Sequence, residues 1–198
     1  RYFAQPTDLS RYNAVAIGPG IGQDEDTALA MIEQIQGSNI PVILDADAIN
    51  ILSTHRNWYN RIPKRSILTP HLGELERLTG KCMDTYERLT KVKELASYLQ
   101  SYIIVKGAWT TIVTPEGNYH FNPTGNPGMA TGGSGDVLTG ILLGLVSQGY
   151  SPEDACKLGV FLHGMAGDIA AEELTEMGMT SHDLVSALPK AWKKIMKK

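Results

Sequence analysis

The chain of 198 residues carries a formal net charge of −3, with 42% hydrophobic and 20% charged residues. This length and composition are ordinary for a single globular domain, and the slightly acidic balance argues against a general nucleic-acid-binding protein. The longest apolar runs, of about ten residues, are too short to span a bilayer. Two cysteines, Cys82 and Cys156, have neither metal-ligand nor disulfide spacing, which fits a reducing cytoplasm, and Cys156 is expected to be a small core residue.

The first half of the chain alternates short apolar runs with amphipathic ones. Its start, RYFAQPTDLS, has no initiator Met and no apolar core of a signal peptide, and we expect that an N-terminal portion is missing. The pattern then predicts strands at residues 14–18 (AVAIG), 41–45 (PVILD) and 66–70 (SILTP), and helices at 24–36, 46–52 and 73–78. The third of these helices is predicted to stop at Gly80.

The second half begins with DTYERLTKVKELASYLQ, which predicts a long helix, and YIIVKG, which predicts a fourth strand. TIVTPEGNYHFN indicates two strands joined by a Pro-Glu-Gly turn. After a glycine-rich loop come three helices, predicted to begin at or near Ser134, Ser151 and Ser181. Pro152 in the first turn and Asp154 three residues after the cap support the second of these starts.

Strands that alternate with helices predict an α/β fold, with a largely parallel central sheet and helices on both faces. The sequence shows no internal repeat, low-complexity segment or interdomain linker, so we expect a single domain over residues 1–198. Ligands of such sheets bind at the carboxyl ends of the strands. The unusual stretches GPGIG, LDADAIN, LTPHLGE and VKGAWT and the glycine loop all fall at that edge, which is the predicted active site.

The stretch PGMATGGSGDVLTG places Gly132, Gly133, Ser134 and Gly135 directly before an apolar helix. A helix N-terminus presents unpaired N–H groups and about half a positive charge, and glycine lets the backbone approach an anion closely. These residues are therefore predicted to form an anion hole for phosphate. The loop is not a P-loop, because G-x-x-x-x-G-K-[ST] is absent.

Asp136 is unexpected beside a phosphate site, because its carboxylate repels phosphate. The spacing leaves two interpretations open. The carboxylate caps the helix or neutralises its dipole. Alternatively, it is a general base that takes the proton of a hydroxyl as this attacks a phosphoryl group, while the glycine N–H groups hold the developing charge.

The stretch NPTGNPGMATGGSGDVLTGILLGLVSQG resembles the glycine-rich Asp signature of the ADP/ATP-dependent NAD(P)H-hydrate dehydratases, a family of the ribokinase-like superfamily. The resemblance extends through GPGIG, LDADAIN, LTPHLGELERLTG and IIVKGAWTTIV, in the family's order, and covers essentially the whole chain. It implies a ribokinase-like fold. The family normally has a further strand-helix-strand unit upstream, which the sequence does not contain.

The resemblance implies a lyase that repairs hydrated NADH or NADPH, typically with ADP in bacterial members and ATP in eukaryotic ones. The nucleotide phosphorylates the hydroxyl of the damaged ring. Phosphate, a far better leaving group than hydroxide, then departs with help from the lone pair of the ring nitrogen. The family also implies Mg²⁺ to neutralise the phosphates and a homotetramer.

Carried over residue by residue, the resemblance makes Asp136 the base that contacts the hydrate. His71 in TPH and Gly20 in GPG match two further contacts with the hydrate. The donor phosphates would be held by Gly133, Ser134 and Gly135. The family's nucleotide-binding segment matches Lys106, Gly107, Ala108, Trp109 and Thr110.

Three of the residues near the strand ends also have a purely structural interpretation. His71 suits the entry of a helix, and Lys106 could be a strand-end lysine that reaches solvent. Glu74 could equally be a first-turn acid that favours the helix dipole.

The acids of LDADAIN and the histidine of GVFLHGMAG have similar alternatives. Asp45 and Asp47 could cap the following helix or hold magnesium-bound water; we favour a structural role for Asp45 and keep Asp47 and Asn50 as secondary candidates. His163 is expected to be a packed helix residue with a satisfied hydrogen bond. Close helix approach is expected at Gly159, Gly164 and Gly167.

Three competing functions remain at this stage. GPGIGQDE and Asp45 suggest a Rossmann oxidoreductase, but Gln23 occupies the third glycine position and the later glycine loop is left unexplained. A kinase of the same superfamily for vitamins such as hydroxymethylpyrimidine would share the anion hole and Asp136, although TPHLGELERLTG and LDADAIN favour the dehydratase. The third competing function is a domain that senses a nucleotide by binding it and catalyses no reaction.

Overall fold

The computed structural model describes residues 3–196. Its strands are β1 (Val15–Ile17), β2 (Val42–Leu44), β3 (Ile67–Leu68), β4 (Tyr102–Val105), β5 (Thr111–Val113) and β6 (Tyr119–Phe121). Its helices are α1 (Glu25–Ile35), α2 (Asp47–Thr54), α3 (Leu72–Thr79), α4 (Thr85–Leu99), α5 (Ser134–Ser147), α6 (Pro152–Leu174) and α7 (Ser181–Met196). The sequence pattern did not predict the two short 3₁₀ helices, Arg56–Arg61 and Pro127–Met129.

One six-stranded sheet has the order β1-β2-β3-β4-β5-β6. The first four strands are parallel, and β5 and β6 are added in antiparallel fashion. The predicted hairpin is confirmed, and its turn contains Gly117 with φ of +82°. The helices that connect the parallel strands pack on one face of the sheet, as the general rule of right-handed crossovers predicts for strands that advance in one direction.

The two faces of the sheet have separate apolar cores. Leu44 and Ile103 belong to the cluster with α1 to α4, whereas Ile43 and Ile104 belong to the cluster with α5 and α6. Successive strand residues point to opposite faces, which explains the split. The predicted α/β fold with a largely parallel sheet and helices on both faces is confirmed. Cys156 is a fully buried member of the second core, and burial raises the pKa of its thiol.

Local signals account for several helix ends. The Ser151 hydroxyl accepts from the Asp154 amide at 3.1 Å, which confirms the predicted start of α6. Gly80, with φ of +84°, ends α3 as predicted. Among residues 3–196, no helix is long and apolar enough to cross a membrane.

Candidate active site

The ends of the parallel strands meet the N-terminus of α5 at one edge of the sheet. Asp45 follows β2, and an isolated β-bridge joins His71 after β3 to Lys106 after β4. The loops approach one another closely: a Cβ on Gly18, which has φ of +137°, would lie 1.7 Å from the carbonyl oxygen of Asp45. Only glycine fits there. The edge predicted from the sequence therefore collects the candidate residues.

The glycine loop presents unpaired backbone donors. Gly133 adopts the left-handed conformation, φ of +85°, directly before α5. Within residues 3–196, no hydrogen bond is donated by the amides of Gly132, Gly133, Gly135 and Asp136. Free N–H groups at the positive end of a helix favour an anion. The loop therefore has the donors that the anion-hole prediction requires.

Asp136 is the third residue of α5 and its side chain is exposed. The N-cap position of α5 is occupied by Gly133 and not by Asp136, so the interpretation of Asp136 as a cap is wrong. The carboxylate lies in the first turn, where it still favours the helix dipole. It also lines a cavity of about 620 Å³, whose lining is mostly apolar, comes largely from β1 and the chain before it, and includes Gly18, Pro19 and Thr139. Asp136 thus borders both a cavity and the free amides of the loop.

Lys106 is held at this edge by carboxylates. Its Nζ lies 2.7 Å from Oδ1 of Asp45 and 3.9 Å from Oε2 of Glu74. A Cβ on Gly135 would lie 3.3 Å from the same Nζ. The interpretation of a lysine reaching solvent is therefore wrong, and the ammonium group adds positive charge directly beside the glycine loop.

The Asp45 carboxylate is only 1% exposed and lies under this site. Besides the Lys106 ammonium, it accepts a hydrogen bond from the Thr139 hydroxyl of α5 at 2.7 Å. The N-cap position of α2 is occupied by Ala46 and not by Asp45, so the expected N-cap role of Asp45 is wrong. Asp45 instead connects β2, the end of β4 and α5.

Asp47 and Asn50 are both occupied by contacts within the protein. The Asp47 carboxylate accepts from the Gly22 amide at 3.0 Å and from the Gln23 side chain at 2.8 Å. It fixes the loop after β1. The Asn50 side-chain oxygen accepts from Arg77 at 2.8 Å. These contacts give both residues a role in holding loops and helices.

His71 is the N-cap of α3. Its Nδ1 accepts from the amides of Gly73 at 3.0 Å and Glu74 at 3.3 Å, while a Glu74 carboxylate oxygen accepts from the His71 amide at 2.8 Å. This reciprocal capping box confirms the helix-entry interpretation. Because Nδ1 accepts, Nε2 carries the hydrogen of the neutral ring. The side chain is 53% exposed, and its Nε2 lies 3.3 Å from Oε1 of Glu74.

The predicted nucleotide-binding segment forms an exposed turn after Lys106. The Thr110 hydroxyl closes it by donating to the Gly107 carbonyl at 3.0 Å. Ala108 and Trp109 lie at its tip, and the Trp109 side chain is among the most exposed large apolar groups of the described chain, at 70%. The exposed indole of Trp109 offers a stacking surface for a planar ring.

His163 is partly buried in α6, and its hydrogen bond is satisfied as predicted. Nε2 lies 2.9 Å from the carbonyl oxygen of Ser134 and 3.3 Å from its hydroxyl. Burial is the main cause that lowers the pKa of His163 to about 4, so the ring is neutral near pH 7. The sequence did not indicate that its partner would be the first residue of the helix after the glycine loop.

The glycines around His163 have two different neighbours. Gly159 packs against α5, where a Cβ would lie 2.9 Å from a methyl group of Leu142, and close helix approach is confirmed. Gly164 and Gly167 instead face the chain before α5, so the helix-approach prediction is wrong for them. Sequence reasoning also missed Asp168, although its spacing of four from Gly164 places both on one helix face.

No group of three or more His, Cys, Asp or Glu within residues 3–196 is arranged to hold a metal. This does not conflict with the expected Mg²⁺. Magnesium retains several waters and is commonly held by one or two carboxylates together with the phosphates of a nucleotide. The residues at the edge fit that mode and do not form a cage of their own.

The parallel sheet with a phosphate-type glycine loop at its carboxyl edge defines a ribokinase-like α/β protein. The ribokinase of Thermotoga maritima shares this fold, with a TM-score of 0.59 at 18% identity. The chain belongs to the NAD(P)H-hydrate dehydratase family, whose model matches residues 3–190.

Relatives in this family are longer than the chain. The bifunctional NAD(P)H-hydrate repair enzyme Nnr of Thermofilum pendens is 43% identical over 179 residues, which cover 89% of this chain and 34% of that protein. The ADP-dependent (S)-NAD(P)H-hydrate dehydratase of Bacillus subtilis is 38% identical over 188 residues, 92% of this chain and 65% of that protein. The chain thus spans about a third and about two thirds of their lengths.

A solved structure shows the same similarity in three dimensions. The ADP/ATP-dependent NAD(P)H-hydrate dehydratase from Bacillus subtilis, co-crystallised with ATP/Mg²⁺, matches with a TM-score of 0.81 at 37% identity. The match covers 97% of this chain and 68% of that one. The described fold therefore corresponds to most of that enzyme.

Proposed function

We propose that this domain catalyses the nucleotide-driven dehydration of (S)-NADH and (S)-NADPH hydrates, with ADP as the phosphoryl donor. One observation carries the proposal: the Asp136 carboxylate lines a cavity of about 620 Å³ and lies in the first turn of α5, directly after the glycine loop with its free amides. A carboxylate base and an oxyanion-type site side by side are what phosphoryl transfer to an alcohol needs. Membership of the dehydratase family supports the same reaction.

In the proposed mechanism, Asp136 takes the proton of the ring hydroxyl. The hydroxyl oxygen forms a bond to the terminal phosphorus of ADP while the bond from that phosphorus to the bridging oxygen breaks, and AMP leaves. The amides of the glycine loop hold the charge on the transferred group. The C–O bond then breaks with the push of the ring nitrogen lone pair. Loss of a proton from the neighbouring carbon restores the reduced ring, so that phosphate and AMP are the other products.

Ligand contacts follow from the same geometry. The cavity beside Gly18 and Pro19 would hold the hydrate, with Gly20 in the adjoining turn and the half-exposed ring of His71 as a further contact. The donor phosphates would lie on the amides of the glycine loop. The adenine would lie against the exposed turn that contains Trp109. Magnesium would supply charge neutralisation of the phosphates, and Asp136 is the carboxylate available nearby.

An assay with hydrated NADH and NADPH tests the proposal. Recovery of the near-ultraviolet absorbance of the reduced ring should require ADP or ATP, and it should release AMP or ADP together with phosphate. A stable phosphorylated product, without recovery, would favour the vitamin-type kinase. Hydride transfer to a carbonyl substrate would favour the oxidoreductase. The four parallel strands within residues 3–196 do not support it, because they advance in one direction without a switch point.

We also propose a cytoplasmic homotetramer, on the family resemblance and on the sparse, unpaired cysteines. The assignment of residues 1–198 to a single ribokinase-like domain that lacks an N-terminal portion remains a prediction. Light scattering after size-exclusion chromatography measures the oligomeric state directly, and a monomer would contradict the tetramer.

A further inference from the structure

One face of α6 supports the chain that leads into the phosphate site. His163 and Gly167 are four residues apart, as are Gly164 and Asp168, so the four form two adjacent rows on the helix. The proposed mechanism uses none of them. All four nevertheless face residues 124–135, the segment that carries the free amides of Gly132, Gly133 and Gly135.

Asp168 fixes the beginning of this segment. Its carboxylate accepts from the Gly125 amide at 3.0 Å and from the Asn126 side-chain amide at 3.1 Å. The Asn126 oxygen in turn accepts from the Gly128 amide at 3.0 Å. Hydrogen bonds to a charged acceptor are stronger than neutral ones. A single carboxylate thus organises the turn that starts the loop, where Gly125 has φ of +108°.

The glycines of α6 let the loop come close. A Cβ on Gly164 would lie 2.2 Å from the Thr124 hydroxyl oxygen and 2.6 Å from the Thr124 carbonyl carbon. A Cβ on Gly167 would lie 2.2 Å from the sulfur of Met129. Real Cβ atoms do not approach a neighbour this closely, so the loop lies directly on the helix surface.

His163 fixes the far end of the segment. A carbonyl oxygen can only accept, so Nε2 donates to Ser134 at 2.9 Å and carries the ring hydrogen. Ser134 is the first residue of α5 and lies between the unpaired amides of Gly133 and Gly135. The bond therefore sets the position of the amides that would meet phosphate.

We propose that His163 and Asp168 are positioning residues that hold residues 124–135 in the conformation that binds the nucleotide phosphates. The inference rests on the proposed phosphate site. A loop so rich in glycine has many conformations and loses much entropy when it orders. Contacts at both of its ends remove that freedom before the ligand arrives, and preorganised donors bind an anion more tightly than mobile ones.

The test measures binding of ADP with Mg²⁺ and of hydrated NADPH separately, by calorimetry, in Asp168→Ala and His163→Leu. We expect the Kd for ADP to rise about tenfold in each, which corresponds to about 1.4 kcal/mol, while the Kd for the hydrate stays within about twofold. The Asp168→Asn variant, which keeps one acceptor oxygen, should lie between Asp168→Ala and the wild type. His163→Gln, which restores a donor, should recover much of the loss in His163→Leu.

The matched control is Glu172→Ala, one turn further along α6, where the side chain is exposed and ADP binding should not change. An equal loss of affinity for both ligands, or no loss for ADP, would overturn the inference. If Asp168→Ala does not fold, Asp168→Asn decides by the same criteria. Failure of the wild type to dehydrate the hydrate would overturn the proposed function alone, because the ADP measurement needs no turnover.

Discussion

Lys106 and Asp45 form an ion pair with 2.7 Å between Nζ and Oδ1, although they are 61 residues apart in the sequence. They are brought together because β2 and β4 end at the same edge of the sheet, with β3 between them. The Asp45 carboxylate is almost fully buried, and its second oxygen accepts from Thr139. The pair fixes the position of the Lys106 ammonium group beside the glycine loop.

Lys106→Met should lower the free energy of unfolding by about 3 kcal/mol, because it leaves the buried Asp45 carboxylate without its cation. Urea denaturation measures the change. Lys190→Met is the matched control, since Lys190 and Glu173 pair at 2.6 Å with both side chains more than half exposed. Its effect should stay below about 1 kcal/mol. Equal effects of the two substitutions would show that the Lys106 pair contributes no more than an exposed one.

Asp136→Asn should reduce dehydration by at least about a hundredfold, because an amide cannot accept the hydroxyl proton. ADP binding should remain largely intact, since the substitution leaves the loop amides in place. Steady-state turnover and calorimetry provide the two measurements. Asp26→Asn in the first turn of α1 changes a similar helix-dipole contact away from the site and should leave turnover unchanged. Retained turnover in Asp136→Asn would contradict the assignment of the base.

Acid should destabilise the protein through His163. Burial lowers its pKa from 6.5 to about 4, so between these values the unfolded chain binds more protons than the folded one. The free energy of unfolding therefore falls as the pH is lowered through this window, by about 2 to 3 kcal/mol from this residue. His163→Gln should show a correspondingly smaller fall when urea denaturation is compared at neutral pH and at about pH 4. Identical falls in both proteins would contradict a lowered pKa of His163 in the folded protein.

Gly164→Ala should destabilise the fold by about 1 to 3 kcal/mol, because the new Cβ would lie 2.6 Å from the backbone of Thr124. Gly144→Ala is the opposite case: nothing lies within 4 Å of its Cβ position in α5. It should stabilise the protein by up to about 1 kcal/mol through helix propensity. Thermal denaturation compares the two, and a stabilising Gly164→Ala would show that the loop does not lie directly on α6.

Much of the site could be predicted because its parts are local. The glycine run before an apolar helix predicted free amides. In the structure, the amides of Gly132, Gly133, Gly135 and Asp136 donate no hydrogen bond to a group within residues 3–196. The cap at Ser151 and the stop at Gly80 are likewise set by neighbouring residues. His71 was expected to suit a helix entry for the same local reason, and the capping box confirms it, whereas its contact with the hydrate stays a prediction.

By itself, the sequence determined the alternation of strands and helices, the position of the glycine loop and the acid that follows it. These depend on residues within a few positions of one another, whose backbone preferences and periodicity are fixed locally. Only the tertiary structure decided that Asp45 lies under Lys106 and that His163 and Asp168 hold the loop. Such partners depend on strand order and on how the helices pack on the sheet, and no local pattern encodes those distances.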